Sequence, residues 1–443
     1  MNDNWLKMTA ANLGRGIEAG KIDPVNLTET YLSAIESHAL SPRIYARTTP
    51  DRALAEATAA AKRASSGHRL SPLDGVPISW KDLFDTAGTK TEAGCALLKD
   101  RTPDADALVL QNATRAGTVC LGKTHMSELA FSGLGFNPVT ESPPSVNDLD
   151  AVAGGSSSGA AASVAFNMAA SSVGSDTGGS VRIPAAWNDL VGLKTTSGRL
   201  SLQGVVPLCA RFDTVGPLCR SVEDATLMLS ALEGTKASDL QGASLKGARL
   251  MVLETMAMDD VREQPLAGFE HAVAAMQKAG ATVERRKIAC VEDAMALTGV
   301  LYTTEAYATW QTEIEANPEK MYPAILKRFQ AGLEYSGVEY VRAWQDLDHL
   351  RNVWATETAG YDAVIMPSSP IMPPNQHLLA TDEKYYVTEN LLSLRNTRIG
   401  NLFGLASLTL PTGTPSCGIM LNTSPNSENR LLRLGAAVEA ALA

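Results

Sequence analysis

The sequence has no metal-ligand spacing, no long apolar run and no excess of basic residues. Its six cysteines and six histidines form no CxxC, HxxxH or HExxH pair, so we expect reduced thiols and no metal site. No stretch approaches the roughly 18 consecutive apolar residues of a membrane span, and the N-terminal MNDNWLKMTA lacks the apolar region of a signal peptide. A net charge of −10 opposes binding to nucleic-acid phosphates. These absences favour a cytoplasmic protein whose partners are neither nucleic acids nor membranes.

The chain does have enough apolar sequence for a large core. It contains 443 residues, of which 45% are hydrophobic. Short apolar runs typical of buried strands alternate with helical patterns, and these runs are GVPISW, TVCL, ARLMVLE and YDAVIMP. The alternation predicts an α/β fold in which helices cover a sheet. The middle of the chain, about residues 255–355, is richer in charge and predicts a mainly helical lid or layer.

One segment matches the sequence of a nucleotide-binding motif but lacks the structural context that the motif requires. Residues 117–124, GTVCLGKT, satisfy the GxxxxGK[ST] pattern of a P-loop. A P-loop follows a strand and opens a helix, whereas here a predicted helix precedes the segment and its middle is β-branched and apolar. A P-loop nucleotide-binding protein is therefore a distant alternative.

Two glycine-flanked serine segments are the strongest functional signal. They are GGSSSG at residues 154–159 and SDTGGSVRIP at residues 175–184. The first contains a GxSxG pattern centred on Ser157, which would make that residue the nucleophile of a strand–turn–helix elbow. The preceding NDLDAVA is a poor strand, and His377 is the only downstream histidine near a plausible loop. This interpretation also leaves Ser180 without a role.

A second interpretation uses both serine segments and one lysine. An alanine-rich helix followed by a short strand can bring Ser180 back beside Ser156, and the glycine pair before Ser180 allows a tight turn. The backbone N–H groups of that turn would point at a developing oxyanion: Thr177, Gly178, Gly179 and Ser180. Lys81 ends an apolar strand, so burial could lower its pKa enough to make it a base. Ser180 is then the better nucleophile.

The segments around these residues resemble the amidase signature family, whose members use a Ser-cisSer-Lys triad. The similarity is dense over residues 70–230 and rests on GVPISWKDLFDTAG, LGKTHMSELAF, GGSSSGAAASVA, GSDTGGSVRIPA, GLKTTSGRLS and FDTVGPLCRSVEDA. The resemblance implies a single large domain over residues 1–443, with a mixed twisted sheet covered by helices on both faces. It also implies that no metal, nucleotide or organic cofactor is required.

The resemblance assigns a role to each matching residue. Lys81 resembles the base, Ser156 the bridging serine that follows a cis peptide bond, and Ser180 the acylated nucleophile. The supporting positions are Ser157, Asp176 and Arg182. The expected reaction transfers the acyl group of a carboxylic amide to Ser180 and then to water, releasing ammonia or an amine.

The motifs leave the substrate open. Aryl and aliphatic amides, carbamates, ureas and esters all suit this chemistry, and the glutaminase-type A subunit of an amidotransferase is the main alternative. Ile183 stands where malonamidase-like enzymes place an arginine, which disfavours a small acidic amide. Trp80 and His125 depart from the usual family residues and could reshape the pocket. The sequence also leaves open whether the chain forms a homodimer.

Overall fold

A mixed sheet of eleven strands forms the centre of the computed structural model, which describes residues 4–443. The strands in chain order are β1 (Tyr45–Thr48), β2 (Pro77–Lys81), β3 (Val119–Thr124), β4 (Ser171–Ser175), β5 (Val191–Lys194), β6 (Val215–Cys219), β7 (Arg249–Leu253), β8 (Thr282–Arg286), β9 (Ala363–Pro367), β10 (Ala406–Pro411) and β11 (Gly418–Thr423). Their order across the sheet is β1-β3-β2-β4-β6-β5-β10-β11-β9-β7-β8. The four apolar runs identified as strands became β2, β3, β7 and β9, which confirms those predictions.

Helices flank the sheet. Within the described residues they are α1 (Ala10–Glu18), α2 (Pro24–Ser37), α3 (Ser41–Ile44), α4 (Pro50–Ser65), α5 (Leu108–Arg115), α6 (Ser158–Ala165), α7 (Arg182–Trp187), α8 (Val222–Glu233), α9 (Glu263–Lys278), α10 (Cys290–Ala296), α11 (Thr304–Ala316), α12 (Pro323–Gln330), α13 (Gly337–Thr358), α14 (Gln376–Thr381), α15 (Glu383–Leu402) and α16 (Glu428–Leu442). This arrangement confirms the predicted α/β class. None of the helices in residues 4–443 combines the length and apolar character that a membrane crossing requires.

The parallel pairing of β2 and β4 places the segments that follow these strands at the same side of the sheet, where the carboxyl ends of both strands lie. β2 pairs in parallel with both β3 and β4. Parallel neighbours end at the same side of a sheet. Lys81, the last residue of β2, therefore lies beside Ser175, the last residue of β4, and each strand leads into a segment that carries candidate functional groups.

The structure overturns the P-loop alternative. Residues of the GKT pattern lie within β3, a fully buried strand, and form no phosphate-binding loop. The Lys123 ammonium donates hydrogen bonds to the Phe84 carbonyl at 2.6 Å and to the Thr91 hydroxyl at 2.9 Å. Asp82 Oδ1 also lies 3.4 Å from Lys123 Nζ, so this lysine has a structural role between β3 and the segment that follows β2.

The predicted mainly helical segment contains one strand that sequence patterns did not indicate. β8 pairs only with β7 at the end of the sheet, and none of its side chains is fully buried. An edge strand exposed to water needs no apolar run. Around it, the segment supplies α9 to α13 and a short π-helix, Gly299–Thr303.

The central strands β5 and β6 approach each other closely at Gly216. A Cβ atom at this position would lie 1.8 Å from the Leu193 carbonyl oxygen of β5. We expect Gly216→Ala to lower the free energy of unfolding by about 1–3 kcal/mol, because overpacking forces the strands apart. The measurement is the midpoint of thermal unfolding, followed by circular dichroism.

Gly337 provides the matched control for this substitution. It is the first residue of α13, and an added Cβ would meet no atom within 4 Å. Gly337→Ala should leave the midpoint unchanged or raise it slightly. Equal midpoints for the two variants would contradict the expected clash between β5 and β6.

Candidate active site

The two serine segments lie side by side. α6 follows the first segment and β4 returns the chain, so that the Ser157 N–H donates to the Ser180 carbonyl at 3.2 Å. α6 ends at Ala165, inside the alanine-rich stretch that continues to Ala170, and Asn167 adopts a positive φ of 62°. The helix and strand thus position the second serine segment against the first, as the spacing predicted.

A buried lysine joins Ser156 to the end of β4. The Lys81 ammonium donates to the Ser156 hydroxyl at 2.7 Å and to the Ser175 hydroxyl at 2.8 Å. The peptide bond before Ser156 is cis. Burial lowers the pKa of Lys81 to about 7, against the opposing attraction of Asp176 and Asp213. A substantial fraction of this amine is therefore neutral near neutral pH.

Ser175 is a contact that the sequence analysis did not assign. It belongs to the second serine segment, and its proximity to Lys81 follows from the parallel pairing of β4 with β2, which no local sequence pattern indicates. Its hydroxyl gives Lys81 Nζ a second partner. This contact helps to hold the amine in place beside Ser156.

An ion pair between Asp176 and Arg182 braces the turn before Ser180. Both side chains are fully buried, with Arg182 Nε at 2.9 Å and Nη2 at 2.8 Å from the two carboxylate oxygens. The same carboxylate accepts the Val181 N–H at 3.1 Å. Burial opposes ionisation of Asp176, but the attraction of Arg182 outweighs it and holds the pKa of that carboxyl well below its usual range. The turn is thus anchored by a permanent charge.

The four backbone N–H groups proposed for an oxyanion site are not equivalent. The Gly179 N–H donates to Asp176 Oδ1 at 2.9 Å. The prediction for Gly179 therefore does not fit the structure, because the anchoring carboxylate already uses this donor. The N–H groups of Thr177, Gly178 and Ser180 have no acceptor among the described residues.

Ser157 serves the backbone, and the nucleophile-elbow interpretation is wrong. Its hydroxyl donates to the Ser175 carbonyl at 3.1 Å and accepts the Ser175 N–H at 3.3 Å. The side chain is fully buried, and the residues directly before it form a loop in place of the strand that an elbow requires. Ser157 therefore links the first serine segment to β4.

Ser180 lines a cavity of about 200 Å³ that reaches the helical segment. Its apolar walls are Phe131, Leu208, Leu391 and Leu394. Two guanidinium groups also line the cavity, Arg328 of α12 and Arg398 of α15, while no aspartate or glutamate among the described residues does so. Sequence reasoning missed both arginines because each lies on a helix far along the chain from the serine segments.

Trp80 and His125, which depart from the usual residues of the family, do not line this cavity. Trp80 is fully buried and packs edge-to-face on Phe84, with ring centroids 5.4 Å apart. Burial lowers the pKa of His125 to about 4, so its ring is neutral at physiological pH. Neither residue reshapes the space around Ser180.

Comparison with known proteins identifies the family. The sequence pattern of the amidase family matches residues 26–432. The chain belongs to the amidase family. A 2-amino-5-chloromuconic acid deaminase from Comamonas testosteroni is 34% identical to this amidase over 450 residues, which cover 98% of this chain and 97% of that protein. The protein is therefore a hydrolase of carbon–nitrogen bonds in non-peptide amides, as the sequence predicted.

Two further comparisons agree with this assignment. A crystal structure described as that of an amidase superposes with a TM-score of 0.87 at 28% identity, covering 98% of this chain and all of the other. The A subunit of the glutamyl-tRNA(Gln) amidotransferase from Anaeromyxobacter dehalogenans (strain 2CP-C) is 41% identical over 231 residues, which cover 52% of this amidase and 47% of that subunit. The amidase fold is thus confirmed over nearly the whole chain.

The buried ion pair predicts a large effect on stability. Asp176→Asn leaves the Arg182 guanidinium buried without its charge partner, so we expect a loss of about 3–5 kcal/mol in the free energy of unfolding. Glu223→Gln makes the same chemical change in an exposed pair with Arg15, and should cost at most about 1 kcal/mol. Denaturant titration of both variants measures the difference. Equal losses would show that the buried pair does not anchor the turn.

Proposed function

We propose that the protein hydrolyses a small, carboxylate-bearing amide through an acyl-enzyme on Ser180. The observation that carries this proposal is the buried contact between Lys81 and Ser156, placed beside the serine segment that lines the cavity. In this mechanism Ser180 is the nucleophile, Ser156 relays its proton and Lys81 is the base.

Formation of the acyl-enzyme begins with neutral Lys81. The amine keeps donating to Ser175 and uses its lone pair to accept the Ser156 proton. Ser156 accepts the proton of Ser180 as the Ser180 Oγ attacks the amide carbonyl carbon. The developing oxyanion accepts hydrogen bonds from the unoccupied N–H groups of the turn, those of Thr177, Gly178 and Ser180.

Collapse of the tetrahedral intermediate breaks the carbon–nitrogen bond. The proton held on Lys81 returns through Ser156 to the departing nitrogen, which leaves as ammonia or an amine. Water then attacks the acyl group, passing its own proton along the same relay, and the carboxylic acid leaves as Ser180 regains its proton. Ser157, Asp176 and Arg182 support these steps by holding the two serine segments in place.

The charge of the cavity supports a carboxylate-bearing substrate. Arg328 stacks on the Phe131 ring at 4.4 Å, but neither it nor Arg398 forms a hydrogen bond or an ion pair with another described residue, and Arg328 Nη1 is a buried donor without an acceptor. Burial, aided by Arg398, lowers the pKa of Arg328 to about 10, which still leaves the group cationic at neutral pH. A buried guanidinium donor without an acceptor is costly, and a substrate carboxylate would relieve that cost.

The relative from Comamonas testosteroni supports the same substrate class, because its name describes a muconic acid. Ile183, which stands where an arginine would favour an acidic substrate, is fully buried in an apolar cluster. Arg328 of α12 and Arg398 of α15 supply the positive charge that position 183 lacks. The helical segment, residues 255–355, then acts as the substrate-binding layer over the core at residues 70–230.

A glutaminase that serves an amidotransferase is the second candidate. The similarity to the Anaeromyxobacter protein over half of this chain favours it. Glutamine is itself a carboxylate-bearing primary amide, so the same cavity could accept it. Glutamine hydrolysis that exceeds all other amides, and that rises when a partner subunit is added, would favour this candidate.

The pKa of Lys81 predicts the dependence of activity on pH. Because the neutral amine is the active form, kcat should rise with pH along a limb centred near 7 and then remain constant. Lys81→Arg should reduce kcat by several orders of magnitude, since a guanidinium cannot act as a base. Lys90→Arg, at an exposed residue paired with Asp100, is the control and should leave the profile unchanged. A limb near pH 10 would contradict this mechanism.

Matched substrates test the proposed function. Succinamate carries one primary amide and one carboxylate, whereas succinamide carries a second amide in place of the carboxylate. We expect kcat/KM to be roughly 10- to 100-fold higher for succinamate. Arg328→Gln and Arg398→Gln should each reduce this preference, and Ser180→Ala should abolish turnover of both compounds. A wide screen of neutral amides, ureas and carbamates belongs in the same experiment. Equal turnover of the charged and neutral members would contradict the substrate class.

A further inference from the structure

Tyr302 joins the wall of the cavity to the turn that carries the oxyanion donors. It lies in the π-helix Gly299–Thr303, and its hydroxyl donates to the Thr177 carbonyl at 3.0 Å. π-Helical turns are rare and frequently occur at functional sites. The π-helix also lines the cavity beside Ser180.

The hydrogen bond to Thr177 acts on the neighbouring N–H group. The Thr177 carbonyl and the Gly178 N–H belong to one trans peptide unit, in which the two groups point in opposite directions. Holding the carbonyl toward Tyr302 therefore fixes the direction of the Gly178 N–H. That N–H has no acceptor among the described residues, so no other hydrogen bond determines its orientation.

The Tyr302 ring is itself held by an aromatic stack. Phe212 lies parallel to it, with centroids 4.3 Å apart and planes 11° apart, and Trp344 of α13 stacks on Phe212 at 5.0 Å. The residue after Phe212, Asp213, accepts a hydrogen bond from the Thr177 hydroxyl at 2.5 Å. Two adjacent residues thus hold this arrangement: Phe212 holds the Tyr302 ring, and Asp213 holds the Thr177 side chain.

The Tyr302 hydroxyl is protonated and donates its hydrogen bond to the backbone. Burial raises the pKa of Tyr302 well above its usual value, so the phenol remains protonated. Its hydroxyl already has an acceptor in the Thr177 carbonyl, and Tyr302 is one of the residues that line the cavity. These contacts suit a role in orientation better than direct proton transfer.

We propose that Tyr302 is a positioning residue, which orients the Gly178 N–H toward the oxyanion by holding the Thr177 carbonyl. This inference rests on the proposed function, in which Ser180 forms the acyl-enzyme beside that N–H. Because an oxyanion exists only in the transition state and the intermediates, the effect of Tyr302 belongs to kcat and leaves ground-state binding unchanged.

Tyr302→Phe removes the hydroxyl and keeps the stacked ring. We expect kcat for the best amide substrate to fall roughly 10- to 100-fold, with KM within a factor of two, because one oxyanion donor loses its orientation. A trifluoromethyl ketone analogue of that substrate, which forms an anionic adduct with serine, should lose affinity by a similar factor. The carboxylic acid product should bind as tightly as it does to the wild type.

Tyr340→Phe is the matched control. It removes another tyrosine hydroxyl from the same helical segment, one that donates to Glu305 at 2.8 Å and does not line the cavity. Its kcat and its affinity for the ketone should equal those of the wild type. Thermal midpoints of both variants show whether either substitution disturbs the fold.

The outcomes separate this inference from the proposed function. Unchanged kcat and ketone affinity in Tyr302→Phe, with turnover that still requires Ser180, would overturn the role of Tyr302 alone. A raised KM with unchanged kcat would also overturn it, by showing direct contact with substrate. Full activity in Ser180→Ala would overturn the proposed function and, with it, the oxyanion role on which this inference depends.

Discussion

The burial of Lys81 is the constraint on which the rest of the site depends. An ammonium removed from water loses much of its hydration, and its hydrogen-bond partners are two neutral hydroxyl groups, those of Ser156 and Ser175. The resulting pKa near 7 gives an amine that can accept a proton at neutral pH. The parallel pairing of β2 and β4 makes this possible, because it delivers the lysine and one of its partners to the same edge of the sheet.

The charge of Asp176, which favours the protonated form of this amine, is itself neutralised by an ion pair. Asp176 is fully buried, but Arg182 and backbone N–H groups satisfy its oxygens. Arg182 also donates to the Thr397 carbonyl of α15 at 2.8 Å, which ties the turn before Ser180 to a helix that is distant in the sequence. The carboxylate therefore organises the serine segment, and its cost of burial is offset by bonds that also fix the turn before Ser180.

The cavity, in contrast, contains positive charge that no protein group neutralises. Its two arginines, Arg328 and Arg398, have no hydrogen-bond or ion-pair partner among the described residues. A folded protein tolerates such groups mainly at sites where a ligand completes them. Residues of the π-helix, α12 and α15 line this cavity together with Ser180, and we propose that they select the substrate.

The sequence alone determined the fold class, the family and the residues of the serine segments, because apolar strand runs and the glycine–serine pattern are local signals. It missed β8, whose exposed side chains produce no apolar run, and it assigned the Gly179 N–H to an oxyanion although Asp176 uses that donor. Only the tertiary structure decided that Ser175 contacts Lys81 and that Arg328 and Arg398 share a cavity with Ser180. On a helix, a charged residue has the same sequence pattern whether it faces water or a substrate, so only packing between distant segments distinguishes the two.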